Sequence, residues 1–276
     1  MHHLRIINYT ERWTERWIVA YQTAVAKRGE SSYAPYSMNS DGCETILDFI
    51  RRDEFHMLKY YLASGSRIEA EQSTKEDDAP VVSKTNNYVP YTIYTSAELY
   101  YWHQRLHTLV LGTEVVSLVA SCKRLLRNAK LASEGSKIGI VGPFHAGRLF
   151  ERMHDGYPDT MRLQYEWQTP SEESARELQR LLYTEPNLDE TKAGPICQEM
   201  LQTFLDNPEI QAIILSDFEV ERLLARQSIA EQINTLFDPP KIFWYHQETK
   251  KPIISAQQAL IDLTTWLTTA NSILSH

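Results

Sequence analysis

The 276 residues include 28 Lys and Arg against 36 Asp and Glu, a formal net charge of −8, with 42% hydrophobic and 23% charged residues. This composition excludes a disordered or fibrous chain, and the scattered basic residues argue against a nucleic-acid partner, whose phosphates need clustered Lys and Arg. The length suits two α/β domains of ordinary size or one large one. With no apolar run near the roughly 20 residues that span a bilayer and no apolar signal core at the N-terminus, no membrane partner is expected and the cytoplasm is the expected compartment.

Residues 4–9 form a short apolar run that stops at Asn8 and Thr10, after which Trp13, Trp17, Ile18, Tyr21 and Val25 recur at helical spacing up to Gly29. The spacing predicts a strand, a loop and a helix. Asn8 or Thr10 fits as the cap of that helix, and a helix start at a strand end also suits an anion. Residues 30–43 are turn-rich and give no element, and a helix is expected from about Glu44 to Ala63. Residues 64–87 are polar, with the acidic cluster Glu76, Asp77 and Asp78, and read as a surface excursion, either a flap or an inert loop.

A strand through Tyr94 comes next, then a helix from Ala97 to about His107, a strand over 108–111 that Glu114 to Val116 either extends or leaves, and a helix containing Cys122. Within the first of these helices Glu98, His103 and His107 carry metal-ligand chemistry, but without a further ligand motif they read as a surface face. Residues 137–142 form an apolar strand with small residues, and Pro143 precedes a helix holding His145 and Arg148. A strand at 161–167, a helix at 171–182 capped by Ser171 and a helix at 191–205 follow.

The run from Gln211 to Leu215 then reads as a buried strand entering a helix that extends to about Leu236, with Asp217 and Glu219 at the junction. A strand at 241–245, the apolar segment 252–255 and a closing helix to about Leu274 complete the chain. Strands alternating with helices predict an α/β protein with parallel sheets.

Two junctions share one layout. Tyr91 to Glu98 and Gln211 to Glu219 each run strand, hydroxyl residue, turn, and a Glu just beyond it. Such similarity about 120 residues apart suggests two similar halves, and strand ends are where open α/β sheets hold ligands. Asp217 fits two roles, a cap for the helix that begins there or an acid–base group. Glu219 suits a first helical turn through the dipole alone, and His145 is either a loop histidine or a site residue after a parallel strand. Gly139-Ile140-Val141-Gly142 lacks the third glycine of a dinucleotide fingerprint, so no cofactor is assigned. Cys43, Cys122 and Cys197 are odd in number and irregular in spacing, which fits free thiols rather than disulfides or zinc.

These motifs resemble the aspartate/glutamate racemase superfamily, which includes hydantoin racemases, maleate isomerases and arylmalonate decarboxylases. Residues 138–142 resemble its second-domain opening strand, 211–224 its strand and Gly-Cys-Thr-Glu or Gly-Cys-Thr-His motif, and 252–255 its Pro-Ile-Ile-Asp-like segment. Residues 4–10 resemble Ile-x-Asn-Pro-Asn-Thr, and 91–100 lie where the family has Pro-Cys-Asn-Thr. The resemblance implies two pseudo-symmetric parallel-sheet domains with an interdomain cleft, domain 1 over 1–118 joined by the C-terminal helix 256–276 and domain 2 over 119–255. It also implies a homodimer and a small carboxylate or amino-acid-derived ligand.

The family pairs two thiols as acid and base. Here the first position falls on Ser96, or on Thr95 with a one-residue shift, and the second on Asp217, with no cysteine at either. A serine hydroxyl is too weakly acidic to replace a thiol unaided, and a carboxylate is a weak base unless burial raises its pKa. The expected chemistry is therefore one-sided, with Asp217, His145 and Ser96 as catalytic residues and Asn8, Thr10, Thr95, Arg148 and Glu219 holding the substrate, for isomerisation, elimination or decarboxylation. The competing expectation is a non-catalytic ligand-binding or partner protein on the same fold.

Overall fold

The computed structural model of the protein describes residues 3–7, 11–27, 34–37, 40–58, 91–106, 114–152, 165–233 and 242–274. These divide into two compact units, one comprising Met1–Thr95, Trp102–Val116 and Thr265–His276, the other Ser96–Tyr101 and Ser117–Thr264.

In the first unit four parallel strands, β1 (His3–Ile7), β2 (Ala34–Ser37), β3 (Tyr91–Tyr94) and β4 (Glu114–Val115), pair in the order β2-β1-β3-β4. Helix α1 (Glu11–Lys27) follows β1, α2 (Ser40–Arg51) follows β2, and α3 (Ala97–Leu106) follows β3 and is divided between the units after Tyr101. Strand β2 lies inside the stretch for which no element was expected. It contains Pro35, which lacks an N–H and is accommodated because β2 is an edge strand. Helix α2 starts at Ser40 rather than near Glu44 and is interrupted after Arg51, where Asp53 turns left-handed at φ 57°; residues 55–58 are helical again, and 59–63 lie outside the described residues. The expected strand at 108–111, the residues Asn8, Thr10 and His107, and the excursion 64–87 lie outside the described residues.

In the second unit β5 (Lys137–Val141), β6 (Glu166–Gln168), β7 (Ile210–Leu215), β8 (Phe243–Tyr245) and β9 (Pro252–Ser255) pair in the order β6-β5-β7-β9-β8, parallel except for the antiparallel edge strand β8. The helices are α4 (Leu118–Asn128), α5 (Phe144–Arg152), α6 (Glu172–Gln179), α7 (Glu190–Asp206), α8 (Phe218–Leu224) and α9 (Ala256–Leu274). Ser117, Ser171 and Asp189 cap α4, α6 and α7 through their side-chain oxygens. Strand β7 is central and all of it but Gln211 is buried, as a strand covered on both faces requires. Ile213, Leu215, Leu201, Phe204, Leu223 and Ile253 belong to one contiguous core around it.

Three expected boundaries move. Helix α6 gives way at Arg180 to a π-helical turn, Arg180–Thr184. Helix α8 ends at Leu224 instead of about 236, because the amides of Arg226 and Gln227 fold back on Leu223 and Leu224 and a 3-10 turn follows at Ser228–Gln232. Of the strand expected at 161–167, residues 161–164 lie outside the described residues, and the described part is the short β6, Glu166–Gln168.

The repeat suspected in the sequence is present in the topology. In each sheet the first strand sits between the second and the third. Ile7 pairs with Tyr94 where Val141 pairs with Leu215. The next residue of each third strand closes the same bond, Thr95 N to Ile7 O at 3.0 Å and Ser216 N to Val141 O at 3.1 Å.

Candidate functional site

Between β5 and β7 the strand order reverses, and the carboxyl ends of strands at such a point form a ready crevice. The residue after β5 is Gly142, and there is no room there for a side chain: a Cβ would lie 2.1 Å from Ser216 Oγ and 2.8 Å from Ser216 Cβ. That close approach sets Ser216 beside Asp217, the residue that leads into α8.

Asp217 is completely buried. Its backbone is extended, at φ −140° and ψ 158°, and its side chain makes no capping bond to its own helix. Oδ1 instead accepts from Ala97 N at 2.7 Å, and Oδ2 accepts from Ser216 Oγ at 2.8 Å. Asp217 thus satisfies an orphan amide at the start of α3, a helix 120 residues away in the chain. Burial raises its carboxyl to about 6; the bonds from Ala97 and Ser216 pull against that rise and the charge of Glu98 adds to it.

Ser96 is also buried, and its Oγ accepts from Glu98 N at 3.2 Å and lies 3.4 Å from the Tyr183 hydroxyl. Tyr183 stands on the π-helical turn, a distortion frequent at functional sites. Burial pushes its phenol up, as do the charges of Asp217, Glu219 and Glu98, so it stays protonated and can donate. Glu219 is half-buried and its carboxyl is raised, first by burial and then by repulsion from Asp217, so its place in the first turn of α8 is not explained by the dipole alone.

Glu98 and His145 meet in the same unit. His145 Nδ1 lies 2.8 Å from both Glu98 oxygens, with Glu98 fully buried, and the ring stacks on Tyr101 at 4.3 Å and 7°. The surface face expected for Glu98 and His103 is therefore corrected: both are inside. His103 Nδ1 bonds the Tyr94 hydroxyl at 2.8 Å, and burial lowers the imidazole to about 4. Among the described residues no group of His, Cys, Asp and Glu could hold a metal ion.

The remaining expected residues have other partners. Thr95 ends the first unit's stretch of chain, and its Oγ1 reaches Ile7 O at 3.4 Å. Arg148 pairs with Glu151 at 3.0 Å and lines a hollow of about 100 Å³ with Gly142, Phe144, Thr169 and Glu172. Cys122 and Cys197 are buried free thiols, pushed up by burial and so poor nucleophiles.

Sequence reading missed Tyr183, Gln179 and Gln257. Gln257 Nε2 donates to Ser216 O at 3.2 Å from the start of α9. None of the three sits in a motif: Gln179 ends α6, Tyr183 stands on the π-helical turn after it, and Gln257 is in the first turn of α9.

No protein-family model matches the chain, and no curated protein matches its sequence. Solved structures do match its fold. A "putative Asp/Glu Racemase" from Yersinia pestis aligns over 97% of this chain and 99% of its own at 12% identity, with a TM-score of 0.61. An aspartate racemase homologue from Pyrococcus horikoshii OT3 aligns over 98% of this chain and 100% of its own, also at 12% identity, with a TM-score of 0.54. Among the described residues no helix is long and apolar enough to cross a membrane. With parallel sheets that repeat one strand order and near-complete alignment to these structures, the chain has the Asp/Glu racemase fold.

Proposed function

We propose that this protein performs acid–base chemistry without thiols on a small carboxylate or amino-acid-derived substrate, by isomerisation, elimination or decarboxylation, with Asp217 as the central group. The observation that carries this reading is the carboxyl of Asp217, completely buried at a strand end and raised to about 6. A base poised near neutrality takes and returns a proton with little penalty at either step. Burial of this kind is how a fold adapts a carboxylate to such work. Ser96 and the protonated Tyr183 hydroxyl supply donors for charge that develops on the substrate, and His145 is the second proton carrier.

A second reading, a ligand-binding protein without catalysis, is favoured by one observation: both Asp217 oxygens already accept bonds from the chain, from Ala97 and Ser216. The two readings separate in one experiment. Wild type and Asp217→Asn are incubated in deuterium oxide with a panel of amino acids and small dicarboxylates, and deuterium on carbon is read by mass spectrometry and NMR, which also reports loss of carbon dioxide. Turnover or exchange that falls by on the order of 10²-fold or more in the variant establishes the acid–base role. Thermal stabilisation by a compound that neither variant turns over nor exchanges establishes the binding protein instead.

A further inference from the structure

We propose that Glu98 is a positioning residue for His145, holding the imidazole with its proton on Nδ1 so that Nε2 is the ring atom that gives up and takes back a proton. The assignment deepens the acid–base reading and rests on it for its catalytic meaning, although its geometry stands alone. Two contacts hold the ring and a third holds its backbone. Glu98 places both oxygens 2.8 Å from Nδ1, Tyr101 stacks flat on one face at 4.3 Å, and Gln179 Oε1 accepts from His145 N at 2.8 Å.

The proton's location follows from a competition at Nδ1. The Gln179 amide nitrogen lies 2.6 Å from Nδ1, and would donate to it if Nδ1 carried a lone pair. That arrangement would aim two carboxylate oxygens at the same lone pair from 2.8 Å. A carboxylate only accepts, so a buried one facing Nδ1 requires the proton there. Gln179 Nε2 then has two acceptors, Glu98 Oε1 and the unprotonated His145 Nε2, each 3.4 Å away. Glu98 arises at the start of α3 and His145 at the start of α5, 47 residues apart, so the pairing is a product of the fold and not of a local motif. In each cycle Nδ1–H stays with Glu98, one proton leaves Nε2 for the substrate or arrives from it, and solvent restores the balance. Fixing which nitrogen exchanges matters because the wrong tautomer presents a donor where an acceptor is needed.

The test uses the full chain labelled with ¹⁵N-histidine, with His145 assigned by comparison with His145→Gln, and reads the tautomer by two-bond ¹H–¹⁵N correlation at a pH where the ring is neutral. Wild type is expected to show Nδ1–H, and Glu98→Gln to move to Nε2–H as the Gln179 amide wins the competition. Wild type with Nε2–H, or a tautomer that ignores Glu98→Gln, overturns the proposal. If Glu98→Gln does not fold, Gln179→Leu takes its place: removing the competing donor leaves Nδ1–H in place, and a change to Nε2–H counts against Glu98. Carbon exchange, measured alongside, is expected to slow by about tenfold or more in Glu98→Gln. A tautomer governed by Glu98 in a protein without any turnover upholds this assignment and rejects the acid–base function; turnover with an indifferent tautomer does the reverse.

Discussion

The two strand-to-helix junctions of this protein share a backbone and differ in chemistry. After β3 the chain reads Thr95-Ser96-Ala97-Glu98, and after β7 it reads Ser216-Asp217-Phe218-Glu219. Thr95 and Ser216 make the same amide bond back to the neighbouring strand. Beyond that the junctions diverge. Ser96 serves its own helix, accepting from Glu98 N, whereas the Asp217 side chain makes no bond to its own helix and accepts from Ala97 at the start of the other. The lesson is that equivalent positions in a repeat need not keep equivalent roles: a hydroxyl can stay a cap, while a carboxylate in the same place becomes a buried, raised acid. Glu98 and Glu219 diverge likewise, one paired with His145 and the other raised beside Asp217.

That contrast is breakable at several points, with Asp217 as the largest. Beyond the expected loss of exchange, Asp217→Asn tests the cost of the buried charge. The carboxyl is raised to about 6 from an ordinary 3.8, so its stabilising contribution is complete below pH 4 and is lost as pH rises through 6. Chemical denaturation across pH 3.5–7.5 is expected to show wild type losing up to about 3 kcal/mol relative to Asp217→Asn over that window. A flat difference between the two curves would mean that Asp217 is an ordinary carboxylate and that the junctions differ less than the geometry indicates.

The next effect tests how tightly the second junction is built. Gly142→Ala drives a methyl to 2.1 Å from Ser216 Oγ, the donor to Asp217. A loss of about 1–3 kcal/mol in unfolding free energy is expected, partly recovered by adding Ser216→Gly. Recovery would locate the strain at that contact, and an innocuous Gly142→Ala would show that the junction yields.

The smallest effect belongs to the hydroxyl junction. Tyr183→Phe removes the phenol that faces Ser96 at 3.4 Å, with an expected cost of about 1 kcal/mol in thermal or denaturant unfolding. If Tyr183 also donates to the substrate, the same variant slows exchange without altering the His145 tautomer. Unchanged stability and unchanged exchange would reduce the Ser96–Tyr183 contact to packing.

The sequence by itself determined the fold class and most of the elements of the second unit. The apolar runs at 137–142, 211–215 and 252–255 are strands buried on both faces, whose continuous hydrophobicity is legible without context. It also marked Asp217, because a charged residue directly after such a strand stands out, and it marked the likeness of the two junctions. Other features were decided only by tertiary structure. An edge position admits Pro35 into a strand, a left-handed Asp53 interrupts the helix after Arg51, and a π-helical turn carries Tyr183 to Ser96. Glu98 illustrates the limit most clearly. Its local spacing to His103 and His107 suggests a helical surface, yet it is fully buried against His145. Periodicity records which face of an element avoids water, an average over neighbours one turn apart. Which distant side chain a buried carboxylate meets depends on how helix starts far apart in the chain pack together, and no local pattern encodes that distance.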